Sequence, residues 1–583
     1  MLRAHLMRPI GSIAIGLCLL GTSVGSAAPA PVVTDAIVTV GSPTSPFSEN
    51  KQNEPALAVD AEHPTILVAG SNDNIDLEAC NAGNDTTCPF TPGVGVSGVY
   101  FSFDSGKHWT QPTYTGLSAR NCQGVVGNTD PGCTPQQGLI GTVPLYFESG
   151  LVSGGDPAVA FGPRPGPDGT FSWANGSRLY YANLTSNLSS ARADETFKGF
   201  EAIAVSRTDN VTAAAAGDKS AWMAPVIASR QSSTVFSDKE QVWADNAASS
   251  PFFGNVYLCW AAFRSIGSSP APPQVAVSSD GGETWTQHQI GAAANNGQRN
   301  PLDGCTVRTD SHGVAYVFGI ATSSPDGHQA FEFLSKSLNG GSTWSNPTDV
   351  VGPVTQPGLV DPVLGRPTID GIAGARSDLA PAPSVDIANG APTGADATNR
   401  IVMSFVSGDI AAPHVFFTES TDGGTTWAAP RAIESPRDRG YYTAPAISPD
   451  GANVYVVYNA FTTDYQQTTA TPRNLVGVLL HASVKGSATG AFSTAHRGAD
   501  GDPRGSSQNN LVGEFLGDYV YATATRTYGA AVWNDARNDA DCLKMDAWRQ
   551  SLRDGTTVPR PAPQQDCAPN FGNSDIFSFS TAP

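Results

Sequence analysis

Val275-Ala-Val-Ser278-Ser-Asp280-Gly-Gly282-Glu-Thr-Trp285 decides how the chain is read. An alternating β segment runs into Ser278, and the pattern Ser-x-Asp-x-Gly-x-x-Trp follows. The same register returns at Ser102, Asp104, Gly106 and Trp109. It returns at Ser337, Asn339, Gly341 and Trp344, with Asn in place of Asp, and at Ser420, Asp422, Gly424 and Trp427. Four of the chain's ten tryptophans stand in this one pattern. Its physics is that of a tight hairpin. Asp or Asn accepts hydrogen bonds from the backbone that follows it. Gly supplies a positive φ that a Cβ would oppose, and Trp folds back over the turn as an apolar lid.

Working outward, each box sits inside a larger unit. The unit opens with a short strand such as Glu54-Pro-Ala-Leu-Ala-Val-Asp60, and a second such as Thr65-Ile-Leu-Val-Ala69 follows. A third strand enters the box and a fourth leaves it. Seven openings are expected, near Glu54, Asp156, Lys239, Gly304, Pro367, Thr443 and Gly513; units two, six and seven lack a clean box. Four-stranded repeats with turn chemistry at fixed offsets read as propeller blades. The fold class is therefore all-β: a β-propeller of four-stranded blades, seven favoured and six the alternative. The closing strand comes from 32–40 or 575–580. Segments 76–133 and 376–399, rich in Gly, Asn, Asp and Pro, read as loop insertions.

Composition bounds the function. Charged residues are only 15% of the 583, against about 25% in an average soluble domain. Gly (61) and Pro (44) are together roughly 18%, where about 12% is usual. The chain is turn-rich rather than helical. A formal charge of −19 repels phosphate backbones and anionic lipid, so no nucleic-acid partner is expected. Residues 1–28 read as a secretory signal: Arg3 and Arg8 precede an apolar run too short to span a bilayer, and small residues follow it. That predicts a secreted protein, no membrane insertion, and one domain over 29–583. Beyond the signal eight cysteines remain, an even number that predicts disulfides in a secreted chain. Pairing of sequence neighbours gives 80–88, 122–133, 259–305 and 542–567, among 105 connectivities.

The boxes and blade openings resemble the Asp-box, or BNR, repeats of the sialidase superfamily, over most of residues 50–550. The resemblance implies a six-bladed glycoside hydrolase acting on extracellular glycans or glycoconjugates. In that family three arginines hold a sugar carboxylate, because a guanidinium bonds it bidentately. A Tyr activated by Glu is the nucleophile and an Asp is the acid, a known exception to the two-carboxylate scheme. Carried over, Tyr519 in Gly517-Asp518-Tyr519 looks like the nucleophile, with Glu514 nearby in sequence. Asp73 and Asp76 stand where the acid loop begins. Arg437, Arg439, Arg366 and Arg308 are the arginines at blade entrances. Asn53 stands where the first family arginine belongs, which loses the charge and the fork. In that family the boxes lie on outer turns, and their expected role is structural.

The sequence leaves two readings open. One is an exo-acting hydrolase of sialidase type. The other, motivated by Asn53, is a non-catalytic propeller that binds extracellular glycan or protein. The implied chemistry requires no cofactor. Asp-rich loops, such as Asp535 to Asp541, also offer oxygen ligands of the kind Ca²⁺ takes. There is no Gly-x-Ser-x-Gly elbow, no P-loop and no His-Glu-x-x-His.

Overall fold

Seven antiparallel sheets follow one another along the chain, each begun by a strand that faces a common axis. The inner strands of blades 1 to 7 are Gln52–Val59, Ala158–Pro165, Phe236–Ala244, Asp303–Thr309, Ser384–Ile387, Arg439–Ile447 and Tyr521–Ala524. The computed structural model describes residues 34–40, 51–78, 91–122, 134–189, 202–229, 235–263, 273–291, 303–323, 329–371, 375–507, 511–513 and 515–583. The propeller occupies the unit Asp35–Pro583. The signal segment, Glu514, Cys80, Cys88 and Cys133 lie outside the described residues. No described helix is long and apolar enough to cross a membrane.

Closure uses both expected segments. Asp575–Ser580 is the third strand of blade 7, and Ala36–Ile37 pairs antiparallel with it as the fourth, Ala36 opposite Ser578. Two openings are corrected. Blade 5 begins at Ser384, not Pro367, because Pro367–Thr368 pairs with Leu359–Val360 in a side hairpin and bridges Arg376, while Ser384–Ile387 pairs with the second strand of the blade. Segment 376–399 therefore contains an inner strand, hidden in sequence by its shortness among Ala, Pro and Gly. Blade 7 begins at Tyr521 rather than near Gly513. Segment 76–133 likewise carries Ser97–Ser102, the third strand of blade 1.

Neighbouring blades bury their faces against each other, which is why the second strands carry apolar runs such as Val256–Phe263, Ile401–Ser407 and Asn453–Phe461. Tyr180 and Leu184 of blade 2 meet Val242 and Trp260 of blade 3. Tyr257 meets Val307 and Val317 of blade 4. Ala530 and Val532 of blade 7 meet Leu57 and Leu67 of blade 1, so the ring is shut. Each large apolar side chain so buried stabilises by about 1.5–3 kcal/mol. A disulfide joins Cys259 of blade 3 to Cys305 of blade 4, and another joins Cys542 to Cys567. Cys122 is disulfide-bonded as well.

The boxes behave as the residues require. In blade 3 Ser278 Oγ donates to Asp280 Oδ1 at 2.8 Å and accepts from Gly282 N at 2.8 Å. Asp280 Oδ1 accepts from Glu283 N at 3.0 Å and Thr284 N at 2.9 Å, and Trp285 Nε1 donates to Gly282 O at 3.2 Å. Asn339 fills the same place, accepting from Thr343 N at 2.9 Å. All four turns join third to fourth strands, so they lie at the tail end of the inner strands, and none contributes to the head.

Two predictions follow from the packing. Because Asn339 serves where Asp280 serves, Asp280→Asn leaves the urea midpoint of unfolding nearly unmoved, whereas Asp280→Ala lowers stability by about 1 kcal/mol. Equal losses for both would contradict the capping account. Glu332 is fully buried, and neither carboxylate oxygen has a partner among the described residues. Burial pushes its pKa well above 4.5. The folded state then keeps a proton that the unfolded chain releases, so this contribution is lost as pH rises above 4.5. Glu332→Met is expected to raise the melting temperature at neutral pH and to flatten its decline above pH 4.5.

Candidate active site at the head of the axial channel

Four consecutive inner strands begin with one backbone irregularity. Glu54, Asp156, Lys239 and Gly304 hold φ of 56°, 52°, 57° and 58°. In blades 1, 3 and 4 the pairing register shifts at this point. These are bulges, which re-aim a side chain where a strand starts. Three of the four residues carry a Cβ in the left-handed region, a strained state that persists only when its surroundings over-determine it. For Glu54 the surroundings are explicit. Its N–H donates to Asn534 Oδ1 at 3.0 Å. Gly517 packs so closely that a Cβ there would lie 2.5 Å from Glu54 Cγ.

The re-aimed side chains meet. Lys239 Nζ lies 2.8 Å from Asp518 Oδ2, 3.1 Å from Asp156 Oδ2, 3.5 Å from Glu54 Oε1 and 3.9 Å from Asp238 Oδ1. Arg376 grips Asp518 through both Nε, at 2.7 Å, and Nη2, and its Nη2 is 3.5 Å from Glu54 Oε1. Tyr442 OH donates to the Arg376 carbonyl at 2.6 Å and lies 3.1 Å from Asp518 Oδ1. Asn72 Nδ2 donates to Glu54 Oε2 and to Asn53 Oδ1, both at 2.8 Å. Tyr519 lies beside the cluster, its ring centre 5.7 Å from Lys239 Nζ.

Burial and charge divide the protons. Burial, with Asp156 alongside, pushes Glu54 well above its usual pKa. Burial acts on Asp156 too, but Lys239 sits closer to it and holds it below the usual value. Of the two, Glu54 is thus the carboxyl that holds its proton more firmly and Asp156 the one that gives it up more readily. Against the same burial, Arg376 and Lys239 hold Asp518 far below the carboxylate range. Burial, with the charge of Asp156 beside it, raises the Tyr519 phenol well above its ordinary value. Glu240 is buried, its two oxygens have no partner among the described residues, and it is pushed up by burial and Asp156. A space of about 60 Å³ lies among Lys239, Glu240, Asp518 and Tyr519. That is room for about two waters at ~30 Å³ each.

The other expected residues lie elsewhere. Asp73 is fully buried and accepts from Tyr100 OH, Gln52, Gln111 and Ile75 N. Asp76 accepts from Arg120, Gly141 N and Thr142. Neither lines the head space. Arg439 donates to the carbonyls of Ile369, Ile410 and Thr463. Arg366 pairs with Asp378, Arg437 is exposed, and Arg308 lies toward the tail of the channel. Among the described residues only Arg376, which the sequence reading did not single out, brings a guanidinium to the cluster. Asn53 donates to Phe515 O at 3.4 Å and is spent on positioning the entrance. The signal for Lys239 and Glu54 is visible once openings are aligned. Glu54-Pro-Ala and Asp156-Pro-Ala coincide, and Lys239 and Gly304 occupy the same column. Among the described residues no group of three His, Cys, Asp or Glu side chains is arranged to hold a metal ion.

Asp518 supports the head in a pH-dependent way. Its folded pKa is depressed, so its contribution is present above the unfolded value near 3.8 and is lost as pH falls through the folded one. Asp518→Asn leaves Lys239 and Arg376 short of a counter-charge, and about 3 kcal/mol of stability is expected to go at pH 7. Denaturant titrations of both proteins from neutral to acid pH check this. Parallel curves for parent and variant would show that the pair does not carry that acid limb.

No family model matches the chain, and no curated protein matches it. Among solved structures it is similar to the Hadza microbial sialidase, at 14% identity and a TM-score of 0.38, over 70% of this chain and 63% of that one. The chain thus spans less than two thirds of that sialidase's length. It is also similar to the intramolecular trans-sialidase of Ruminococcus gnavus in complex with oseltamivir carboxylate, at 11% identity and a TM-score of 0.39, over 73% and 93% of the two chains. A polysaccharide lyase, an ulvan lyase, is similar at 10% identity and a TM-score of 0.31, over 61% and 78%.

Proposed function

We propose that the chain is a glycan-active propeller of sialidase-like type that hydrolyses a glycosidic bond at the head of its axial channel. One observation carries this reading: two carboxyls shifted in opposite directions, Glu54 up and Asp156 down, sit against Lys239 on strained backbone at the axis. Two carboxyls whose environments push their protonation apart are suited to acid and base roles. In this reading Glu54 protonates the leaving oxygen. Tyr519 is the nucleophile: as its oxygen bonds the anomeric carbon and the leaving oxygen departs with the Glu54 proton, ionised Asp156 takes the phenol proton. A water then displaces the Tyr519 oxygen, giving one proton to Glu54 while Asp156 returns the phenol proton to Tyr519. The role the sequence resemblance gave to Asp73 or Asp76 falls instead to Glu54. A sialic acid carboxylate would find one arginine, Arg376, already held by Asp518, so the favoured substrate is a sugar without that carboxylate. The disulfides favour an oxidising, extracellular setting.

A panel of fluorogenic glycosides, a sialoside among them, tests the reading. Glu54→Gln is expected to lower kcat by about 10²–10⁴-fold with KM little changed, and Tyr519→Phe to abolish turnover. Activity should decline as pH rises, because Glu54 acts only while it holds its proton. A second reading, a non-catalytic binding propeller, rests on the same cluster seen otherwise: Lys239, Arg376 and Asp518 are already mutually paired, and Asn53 replaces the family arginine. Inactivity of the parent protein across the whole panel would leave that reading in place.

A further inference from the structure

The axial channel widens away from the charged head. Toward the tails of the inner strands lies a chamber of about 210 Å³. That is room for about seven waters at ~30 Å³ each, a scale that suits one ring rather than a chain. Gln241 and Tyr521 border both this chamber and the head space, and so form the waist between them. Pro64, Arg526 and Thr527 line the chamber and are exposed, so its rim opens to solvent.

The lining has the two components that a sugar ring needs. Ala56, Ala58, Val159, Ala160 and Ile387 give small apolar walls for C–H faces. Against them stand polar groups with capacity to spare. Arg308 lies over the Trp243 ring at 4.6 Å. Its Nη1 donates to the Val307 carbonyl at 2.8 Å and its Nε lies 3.4 Å from Asp386 Oδ1. Its Nη2 has no partner among the described residues. Neither the Gln241 amide nor the Tyr521 hydroxyl, both on the chamber wall, has a hydrogen-bond partner among the described residues. A convergent donor fork, a carboxylate, an amide and a phenol on apolar walls is the usual make-up of a small-ligand site.

Charge narrows the ligand class. Arg308 and Asp386 offset each other, so an anion meets the carboxylate and a cation meets the guanidinium. Arg526 at the rim is committed to Asp396, at 2.9 and 2.7 Å, and to the Ala391 carbonyl at 2.7 Å. A ligand with many hydroxyls and no net charge satisfies donors and acceptors together. We infer that this chamber is a second binding site, separate from the head cluster, for one neutral, hydroxyl-rich sugar ring.

The inference uses none of the charged residues of the head cluster, and Gln241 and Tyr521 only border that space, so it stands or falls apart from the hydrolase reading. Glucose, galactose and mannose, titrated into the full chain by calorimetry and tryptophan fluorescence, are the probes, with gluconate and glucosamine as charged counterparts. Saturable binding of at least one neutral sugar is expected, with the charged analogues at least tenfold weaker. Arg308→Gln and Tyr521→Phe should each weaken binding about tenfold or more. Tyr521→Phe removes a single hydroxyl that has no partner among the described residues, which keeps the test informative should Arg308→Gln fail to fold. Glu54→Gln, which disables the head chemistry, should bind like the parent. Absence of saturation by all three neutral sugars, equal binding of the charged analogues, or unchanged affinity in folded Tyr521→Phe would each overturn the inference.

Discussion

The ammonium of Lys239 is the contact on which the head of this propeller depends. It comes from blade 3 and lies within 3.5 Å of carboxylates from blade 1, blade 2 and the entrance to blade 7. Elsewhere blades meet their neighbours largely through apolar faces, which are non-directional and tolerate sliding. A charge taken out of water is costly unless its partners are well placed. Sliding a blade would part Lys239 from one of its carboxylates, so the cluster fixes the relative height of blades that the core alone leaves free. Such a network adds little net stability compared with a well-packed apolar plug. Its persistence at a strained backbone position is what points toward chemistry.

The lysine is itself held from two sides. Cys305, next in chain to the bulge residue Gly304, is bonded to Cys259 in the second strand of blade 3. Asp156 and Asp518 supply the opposite pull. Farther out, the helix Leu543–Asp554 presents Arg549, which donates to the carbonyls of Arg504, Ser506, Leu511 and Gly513. That buried guanidinium shapes the segment leading to Gly517 and Asp518. The entrance of blade 7 is thus positioned by a helix inserted inside the same blade.

How much of this was legible in the sequence follows from the range of each interaction. The box turns are local: Ser278, Asp280, Gly282 and Trp285 satisfy one another within eight residues, so the pattern announces the hairpin, and its repetition announces the blade. Inner strands are legible where they are long, as at Gln52–Val59, and lost where short, as at Ser384–Ile387. The head cluster joins residues up to 464 positions apart, Glu54 to Asp518, and nothing local in Arg376 marks it as a partner of either. What the sequence did hold was the column of Glu54, Asp156, Lys239 and Gly304. Its meaning depends on a left-handed φ, which three of those four residue types do not advertise.

The two ends of the axis are therefore built from different materials, and for a reason. At the tail, the four box turns are each closed by their own Ser, Asp or Asn, and Gly, so they need nothing from the axis to hold their shape. The chamber there can leave the Gln241 amide, the Tyr521 hydroxyl and Arg308 Nη2 without a hydrogen-bond partner among the described residues. At the head, bulges turn charged side chains inward, and those charges must compensate one another across blades. That mutual pairing leaves a space of about 60 Å³, against about 210 Å³ at the tail. Room for a ligand and density of charge are thus opposed along one channel. The end that holds the strongest proton chemistry has the least space, and the end with space has the fewest committed polar groups.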